Sequence, residues 1–237
     1  MAADPVRGET LIMTATFRAE TTPTLVVRQE EERILQYMCA LASWAQPAHV
    51  RRIVFAENSD TRFDFSKVIR YMEAAGKEVE VLVFDGNKEA SRLGKGFGEG
   101  EILEHIYDNS TLLRRGATFY KVTGRIFVSN FDLVSERTTA PVAFHRQKSK
   151  AGKRAKANTV FFKCSLALFE SRLLHCYKQV NEPNGVQFEH LYFDQLLDPI
   201  PADFGVPPVF VGQQASTGKL YGAYEPDTVE IARSFIS

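Results

Sequence analysis

Cysteine is scarce in this sequence and does not cluster. The three cysteines, Cys39, Cys164 and Cys176, are far apart and form neither a CxxC pair nor a Cys/His cluster. This pattern argues against a disulfide framework and against a cysteine-ligated zinc site. A reducing cytoplasm is the compartment that we expect for such a chain.

Long apolar runs and an excess of one charge are also absent. No stretch approaches the roughly 20 apolar residues that a membrane-spanning helix needs, and residues 1–17 contain no long apolar signal segment. The 29 basic and 29 acidic residues cancel, which leaves no global field that would attract nucleic acid. We therefore expect a soluble cytoplasmic protein, with no nucleic-acid partner, that meets charged ligands at a local site.

Apolar residues make up 44% of the 237 residues, enough to bury a full core. Short apolar segments that predict strands alternate with segments whose apolar residues recur at helical spacing. The predicted strands cover residues 10–17, 50–60, 77–86 and 119–132, and the predicted helices cover 30–45, 63–76 and the segment after a glycine-rich loop at 94–100. This alternation is typical of an α/β protein with a parallel sheet covered on both faces.

The pattern loosens after about residue 140. The basic segment 145–158 lacks an apolar anchor and predicts a surface loop, after which residues 159–169 return to a strand pattern. Residues 171–180 and 185–198 predict helices, whereas the proline- and glycine-rich segment 199–222 predicts extended chain packed on the same domain. We expect a single domain over residues 1–237 with an irregular C-terminal extension.

Polar residues follow the predicted strands at their carboxyl ends, where ligands of open parallel α/β sheets bind. They are Thr16 and Arg18 after the first strand, Glu57, Asn58, Ser59 and Asp60 after the second, and Asp85 after the third. The glycine-rich segment 94–100 comes next, and its backbone N–H groups at a helix start are suited to an anion. The same glycines would also suit a tight turn that serves packing alone.

The segment FYKVTGRIFVSNFD, residues 119–132, begins as an apolar strand but carries two cations. If the strand ends beside a ligand, Lys121 and Arg125 would meet a phosphate there. Thr123 would then supply a hydroxyl, and Gly124 would leave room for the ligand. The alternative is an exposed strand face, because residues two apart point to the same side of a strand.

Several segments, taken in order, resemble a group of bacterial glycosyltransferase-like proteins associated with surface polysaccharide (O-antigen or capsule) biosynthesis. The segments are TATFRA, RQEEERILQY, FAENSD, GKGFGEGEIL, FYKVTGRIFVSN and FEHLYFDQL, and they cover most of residues 10–198. Those proteins in turn resemble the GT-A glycosyltransferases. The resemblance implies a GT-A-like, Rossmann-type α/β fold with a mostly parallel central sheet flanked by helices. About residues 10–135 would form the nucleotide-sugar-binding half, and about residues 136–237 the acceptor-side half and C-terminal tail.

The resemblance also implies a function, that of a hexosyltransferase-type enzyme. It would move a sugar from a nucleotide diphosphate sugar, its co-substrate, to a growing cell-surface glycan such as lipopolysaccharide, or to a lipid-linked acceptor. A lipid-linked acceptor would bring the protein to the inner face of the membrane as a peripheral partner, and no pattern fixes the oligomeric state. The matching donor-binding candidates are Thr16, Arg18, Glu57, Asn58, Ser59, Lys95, Gly96, Thr123 and Gly124.

One departure from the GT-A pattern concerns the metal. GT-A enzymes usually carry an Asp-x-Asp motif at the end of the fourth strand for a divalent cation, and this chain has KVTGR there. Lys121 and Arg125 would replace the metal by stabilising the departing nucleotide diphosphate, which predicts metal-independent transfer. The alternatives keep Mn²⁺ or Mg²⁺ on Asn130 and Asp132, or on Asp85 and Asn87.

Transfer with inversion also needs a base for the acceptor hydroxyl. Glu189 and His190 are the candidates, because a carboxylate at an apolar helix start is costly unless it is paired or used. The alternative is a surface acid beside a structural histidine, and Asp194 and Glu57 are further candidates for the base.

A competing interpretation is a catalytically inactive nucleotide- or glycan-binding module of a polysaccharide assembly complex. The missing Asp-x-Asp motif favours it. A nucleotidyltransferase or a dehydrogenase is disfavoured, because the chain has no Walker loop and no GxGxxG directly after its first strand.

Overall fold

The computed structural model describes residues 8–19, 29–147, 154–198, 200–214 and 218–236. Its strands in these ranges are β1 Glu9–Ala15, β2 Val50–Glu57, β3 Glu78–Val83, β4 Thr118–Thr123, β5 Ile126–Val128, β6 Ala143–Gln147, β7 Lys156–Ser165, β8 Phe210–Gln213 and β9 Leu220–Gly222. The main sheet has the order β3-β2-β1-β4-β7-β6, and β5, β8 and β9 form a second sheet. β3, β2, β1 and β4 are parallel, whereas β7 and β6 extend the sheet in antiparallel fashion.

Helices cover both faces of the main sheet. They are α1 Glu30–Ser43, α2 Ser66–Ala74, α3 Ala90–Leu93, α4 Lys95–Asn109, α5 Phe131–Arg137, α6 Leu166–Leu168, α7 Phe188–Gln195 and α8 Pro226–Ile236. One face carries α1, α2 and α8, which we call the α1 layer. The other face carries α4 and α7, which we call the α4 layer. The predicted α/β fold, with a mostly parallel sheet flanked by helices, is confirmed.

The continuous apolar character of β1 follows from its central position. All seven of its residues are buried. Leu11 and Met13 belong to the core under the α1 layer, whereas Ile12 belongs to the core under the α4 layer. A central strand of a parallel sheet has no solvent-facing side, so both sets of alternating residues are apolar.

The segment 119–132 does not form one strand as predicted. β4 ends at Thr123, a turn at Gly124 and Arg125 follows, and β5 then pairs with β8 in the second sheet. A Cβ atom on Gly124 would lie 2.7 Å from the Thr14 carbonyl oxygen and 3.0 Å from the Tyr37 ring. Only glycine therefore allows the chain to turn this closely over β1 and α1.

Two further segments differ from the expectations. The glycine-rich residues 95–100 form the first turns of α4 rather than a loop before it, so the prediction of a loop is wrong. Within the predicted basic loop, residues up to 147 belong to β6 and residues from 156 belong to β7, and residues 148–153 lie outside the described ranges. The segment 199–222 contributes β8 and β9, and α8 follows it.

Candidate functional site

Glu57 holds together the loops that leave β1 and β2. Its side chain is fully buried. The carboxylate accepts the backbone N–H groups of Phe17 at 2.8 Å and Ser59 at 3.0 Å, and also the Ser59 hydroxyl. Because these donors occupy the carboxylate, Glu57 has a structural role and holds the loops after β1 and β2 in place. In this arrangement it does not contact a ligand or accept a proton from an acceptor, as was predicted for it.

The side-chain amide of Asn58 lies buried beside the first turns of α4. Its side chain is fully buried, and its Oδ1 accepts the Thr16 hydroxyl at 2.6 Å. Its Nδ2 has no hydrogen-bond partner among the described residues. A Cβ atom on Gly98 would lie only 3.6 Å from this nitrogen. An unsatisfied buried donor costs about 1–3 kcal/mol, so a ligand oxygen beside Gly98 would be strongly favoured.

Arg18 forms one wall of a cleft at the same edge. Its guanidinium donates to the carbonyl oxygens of Ser59 and of Asp60, the latter at 2.9 Å, and its backbone N–H donates to the Ser59 hydroxyl at 3.0 Å. The side chain is thus folded over the loop after β2. The cleft beside it has a volume of about 490 Å³ and is lined by Arg18, Glu30, Ile34, Asp60, Thr61, Arg62 and Phe63.

Lys121 is fully buried, so the alternative of an exposed strand face is wrong at this position. Its ammonium donates to the Glu99 carboxylate and, at 2.6 Å, to the Thr159 carbonyl oxygen, and it lies 3.3 Å from the Thr123 hydroxyl. A buried cation is tolerated when an acid and hydrogen-bond acceptors surround it. The charge predicted for a phosphate is therefore neutralised within the chain by Glu99 of α4.

Glu99 is a residue that the sequence reasoning missed. It keeps 22% of its side chain exposed at the carboxyl edge of the sheet, where Lys121 holds it. The available signal was an acid inside the glycine-rich segment GKGFGEG.

Arg125 lies on the other side of the sheet, against α1. It is 2% exposed, its guanidinium carbon lies 5.5 Å from the centre of the Tyr37 ring, and it donates to Gln36 at 3.0 Å. Its Nε has no hydrogen-bond partner among the described residues, and burial lowers the pKa of the guanidinium. Lys121 packs instead in the α4 layer, 5.9 Å from the centre of the Phe162 ring. The two cations therefore do not converge on one point, contrary to the expectation that they meet the same phosphate.

Arg33 adds a second buried guanidinium to the Arg125 side. It is 3% exposed and lies 6.0 Å from the centre of the Tyr37 ring. Its Nε donates to the carbonyl oxygens of Thr16 at 2.9 Å and Phe17 at 3.0 Å. Arg33 was not among the predicted site residues, although it stands in the quoted segment RQEEERILQY.

The glycines predicted to cradle a ligand are packed against the chain itself. The Gly96 N–H donates to the Glu182 carboxylate at 2.9 Å, and a Cβ atom on Gly96 would lie 2.6 Å from the Phe188 Cβ. Glu182 thus supplies the anion that the N-terminus of α4 favours. Lys95 is exposed at the first position of this helix. Gly124 makes room for Tyr37 rather than for a ligand.

The metal alternatives do not fit a metal site. Asn130 accepts the Val209 N–H at 2.8 Å and donates to the Pro207 carbonyl oxygen, while the Asp132 carboxylate accepts the N–H groups of Ala48 and His49. Both side chains are thus already committed to the backbone. The side chains of the second pair also have other partners. Asp85 forms a surface ion pair with Lys88, and Asn87 donates to the Arg18 carbonyl oxygen at 3.5 Å. Nowhere in the described ranges do three His, Cys, Asp or Glu side chains come together as metal ligands.

Glu189 and His190 lie in the first turn of α7, next to the start of α4. Phe188 contacts Gly96, which brings this turn to the carboxyl edge of the sheet. Both predicted base residues are partly exposed, and His190 Nδ1 is buried without a hydrogen-bond partner among the described residues. Asp194, the further candidate for the base, instead forms an ion pair with Arg154 on the surface.

Comparison with solved structures supports the fold. The apo form of the glycosyltransferase GlyE from Streptococcus pneumoniae TIGR4 is similar with a TM-score of 0.52 and 13% identity, over 83% of this chain and 45% of that chain. A second GlyE structure gives a TM-score of 0.50 and 14% identity, over 83% and 44% of the two chains. This chain therefore spans less than half the length of GlyE. The likeness shows a GT-A-like, Rossmann-type α/β fold.

A putative glucose-1-phosphate thymidylyltransferase from Bacillus anthracis aligns over 95% of this chain with a TM-score of 0.48 and 10% identity, too weak a similarity to establish a shared fold. No family model matches the chain, and no curated protein matches its sequence. Within the described ranges, every helix is too short or too polar to cross a bilayer.

Proposed function

We propose that this chain binds a nucleotide diphosphate sugar at the carboxyl edge of β1 and β2 and transfers the sugar to a growing cell-surface glycan or lipid-linked acceptor. The observation that carries the proposal is the cleft of about 490 Å³ beside the ends of these strands. Small-molecule sites typically enclose roughly 300–1,000 Å³. The loops after parallel strands converge at this edge, which is where open α/β sheets bind ligands.

The cleft offers the chemistry that a nucleotide needs. Phe63 is partly buried and fixed by edge-on contacts with Phe17 at 5.8 Å and Phe65 at 5.0 Å, so its ring is a rigid surface for a base. Arg62 is exposed at the mouth, where a guanidinium suits the oxygens of a diphosphate. Asp60 lines the same cleft and supplies acceptors for the ribose hydroxyls.

The donor sugar would lie toward α4. The unsatisfied Asn58 Nδ2 beside Gly98 is a donor for a sugar or phosphate oxygen. Glu99 is an acceptor for sugar hydroxyls, and its contact with Lys121 fixes the carboxylate in place. Glu189 of α7 is the base that we assign to the acceptor hydroxyl.

Metal-independent transfer remains a prediction in this proposal. Lys121 is neutralised by Glu99, and Arg125 is buried outside the lining of the cleft, so the exposed Arg62 carries the electrostatic stabilisation of the leaving nucleotide diphosphate. Turnover measured in EDTA is expected to equal turnover without it. Activity that EDTA removes and that manganese or magnesium restores would show that a metal is required.

A second candidate is a module that binds nucleotide or glycan without turnover. The observation that favours it is the internal pairing of Lys121 with Glu99, which removes one predicted catalytic cation. Hydrolysis of a nucleotide sugar in the absence of acceptor would support the enzyme, whereas tight binding without hydrolysis or transfer would support the module.

The proposed function is tested by calorimetric titration of the full chain with UDP, GDP, CMP and dTDP. One nucleotide is expected to bind, and Arg62→Ala is expected to weaken it by roughly tenfold, because a hydrogen bond to a charged group contributes about 1.5–3 kcal/mol. Arg70→Ala is the matched control, since Arg70 is also exposed but lies on α2, outside the cleft. Absence of binding by all four nucleotides would refute the proposal.

A further inference from the structure

A second cavity, of about 300 Å³, lies on the α1-layer side of the sheet beside β7. Two prolines and three aromatic rings form its apolar walls, and three polar side chains complete it. The aromatic residues are Phe161, Phe204 and Phe210, and the polar residues are His145, Asn158 and Asp203.

The aromatic walls are fixed in place. The Phe161 ring is stacked on Tyr120, with ring centres 5.7 Å apart and planes at 18°, and on Phe204, with centres 5.0 Å apart and planes at 24°. Phe210 stands at 75° to Phe161. Phe161 is 1% exposed and holds the other two rings in place, whereas Phe204 and Phe210 are only partly buried. Their rings, already ordered by packing, present apolar surface without further loss of conformational entropy when a ligand binds.

The polar groups supply both donors and acceptors. Asn158 Oδ1 accepts the Val160 N–H at 2.9 Å, which orients its amide group. His145 and Asp203 are exposed at the rim. No lysine or arginine is among the described residues that line the cavity, so its chemistry does not suit a phosphate. A ligand with a flat apolar face and hydroxyl groups around its edge satisfies both kinds of wall, and a pyranose ring has this form.

Two pairs of strands connect the walls of the cavity to β4 and to β5. Phe161 of β7 pairs with Val122 of β4, which is followed directly by Thr123 at the carboxyl edge. Phe210 of β8 pairs with Val128 of β5, the strand that Arg125 precedes. We propose that this cavity binds a pyranose ring of the acceptor glycan, an assignment that rests on the proposed function.

Saturation-transfer NMR on the full chain tests the assignment, with the methyl glycosides of glucose, galactose, mannose, rhamnose and N-acetylglucosamine as probes. At least one glycoside is expected to receive saturation. Asp203→Asn and Phe204→Leu are each expected to weaken its binding by about tenfold, through loss of a charge-assisted hydrogen bond and of a flat aromatic face. Asp198→Asn, an exposed acid outside the cavity, is expected to leave binding unchanged.

Nucleotide affinity is measured on the same samples, and both cavity variants are expected to retain it. If nucleotide binds but no glycoside does, the cavity is not a saccharide site and the proposed function is untouched. Glycoside binding that neither variant weakens would also overturn the assignment. Binding of decanoate in place of any glycoside would overturn it in favour of an acyl ligand. Failure of the proposed function is recognised separately, by the absence of nucleotide binding.

Discussion

Lys121 and Arg125 show what a residue pattern can and cannot predict. Two cations at the end of an apolar strand predict that each has a specific partner, because burying a charge without a partner is costly. The structure supplies a different partner for each. Lys121 meets Glu99 and Arg125 meets Gln36 and the Tyr37 ring, on opposite faces of the sheet. Neither partner is close in sequence, so the pattern alone could not pair them.

Removal of the Lys121 charge is expected to destabilise the fold. Lys121→Met should lower the free energy of unfolding by about 2–4 kcal/mol, because Glu99 keeps its charge in a mostly buried place without its partner. The double variant Lys121→Met/Glu99→Gln should recover at least about 1 kcal/mol of that loss. Urea unfolding of the four proteins of the cycle measures both values. Additive effects would mean that the two side chains do not stabilise each other.

Glu189 is expected to act in turnover and not in donor binding. Glu189→Gln keeps the shape of the side chain but removes the base, so nucleotide-sugar affinity should be unchanged while turnover falls by roughly 100-fold or more. Steady-state rates and calorimetry separate the two effects. Glu230→Gln, on the exposed side of α8, is the control. A Glu189→Gln protein with normal turnover would remove this residue from the mechanism.

At the scale of elements, α4 is the helix that combines packing with the candidate site. Gly96 and Gly100 allow close contact with Phe188 and Tyr177, whereas Gly98 faces Asn58 at the carboxyl edge. Glycine costs about 1 kcal/mol in a helix relative to alanine, so each glycine needs a reason to be there. Gly96 and Gly100 have a packing reason alone, whereas Gly98 packs against Ala90 and also lies beside the Asn58 amide of the candidate ligand site.

Alanine at Gly100 and at Gly98 should therefore differ in their effect on stability. In Gly100→Ala the new methyl group would overlap the Tyr177 Cβ, and the free energy of unfolding should fall by more than about 2 kcal/mol. In Gly98→Ala the nearest atom is the Ala90 Cβ at 3.1 Å, so stability should stay within about 1 kcal/mol of wild type.

Gly98→Ala should nevertheless weaken nucleotide-sugar binding, because its methyl group would stand beside the Asn58 amide. Urea unfolding and calorimetric titration of both variants provide the two measurements. Unchanged donor affinity in Gly98→Ala would place the sugar elsewhere.

α4 also carries a pH-dependent contribution to stability. His105 stacks on Phe84, with ring centres 3.9 Å apart, and burial lowers its pKa. The unfolded chain therefore takes up this proton first as the pH falls through the ordinary histidine pKa of about 6.5. The folded state loses stability in the window between that value and the lowered pKa of folded His105.

His105→Gln should accordingly lose less stability than wild type between pH 7.5 and pH 5.5, as measured by urea unfolding at the two pH values. These pH values are about one unit on either side of the ordinary histidine pKa. An equal loss in both proteins would mean that His105 does not contribute to the acid sensitivity of the fold.

The local sequence pattern predicted the secondary-structure elements best where most residues of an element are buried. The strand of residues 10–17 and the helix of residues 30–45 were correct to within about two residues, because burial enforces apolar continuity and helical periodicity there. The split of residues 119–132 into β4 and β5 was missed, since the space that Gly124 leaves is filled by Tyr37 from a distant helix. The N-terminus of α4 was placed too late, because glycine normally predicts a loop.

At the scale of the whole molecule, the candidate sites lie along one edge of the main sheet. The cleft beside Arg18 follows β1 and β2, and the first turns of α4 and α7 meet at the same edge. The aromatic cavity beside Phe161 lies next to the end of β4. The sequence predicted that the polar residues after β1 and β2 lie at one edge, which the contact of Thr16 with Asn58 confirms, and ligand binding there stays a prediction. It could not predict the aromatic cavity, because β7, β8 and the chain before β8 form it from distant parts of the sequence.

The measurement that tests the central claim most directly is hydrogen–deuterium exchange of the full chain with saturating UDP, GDP, CMP or dTDP, each in turn. Ligand contacts slow local opening, so one nucleotide should slow exchange in residues 16–19 and 57–63. In Arg62→Ala that protection should be weaker. Unchanged exchange with all four nucleotides, or protection confined to α5 and the other end of the sheet, would contradict a nucleotide-sugar site at this edge.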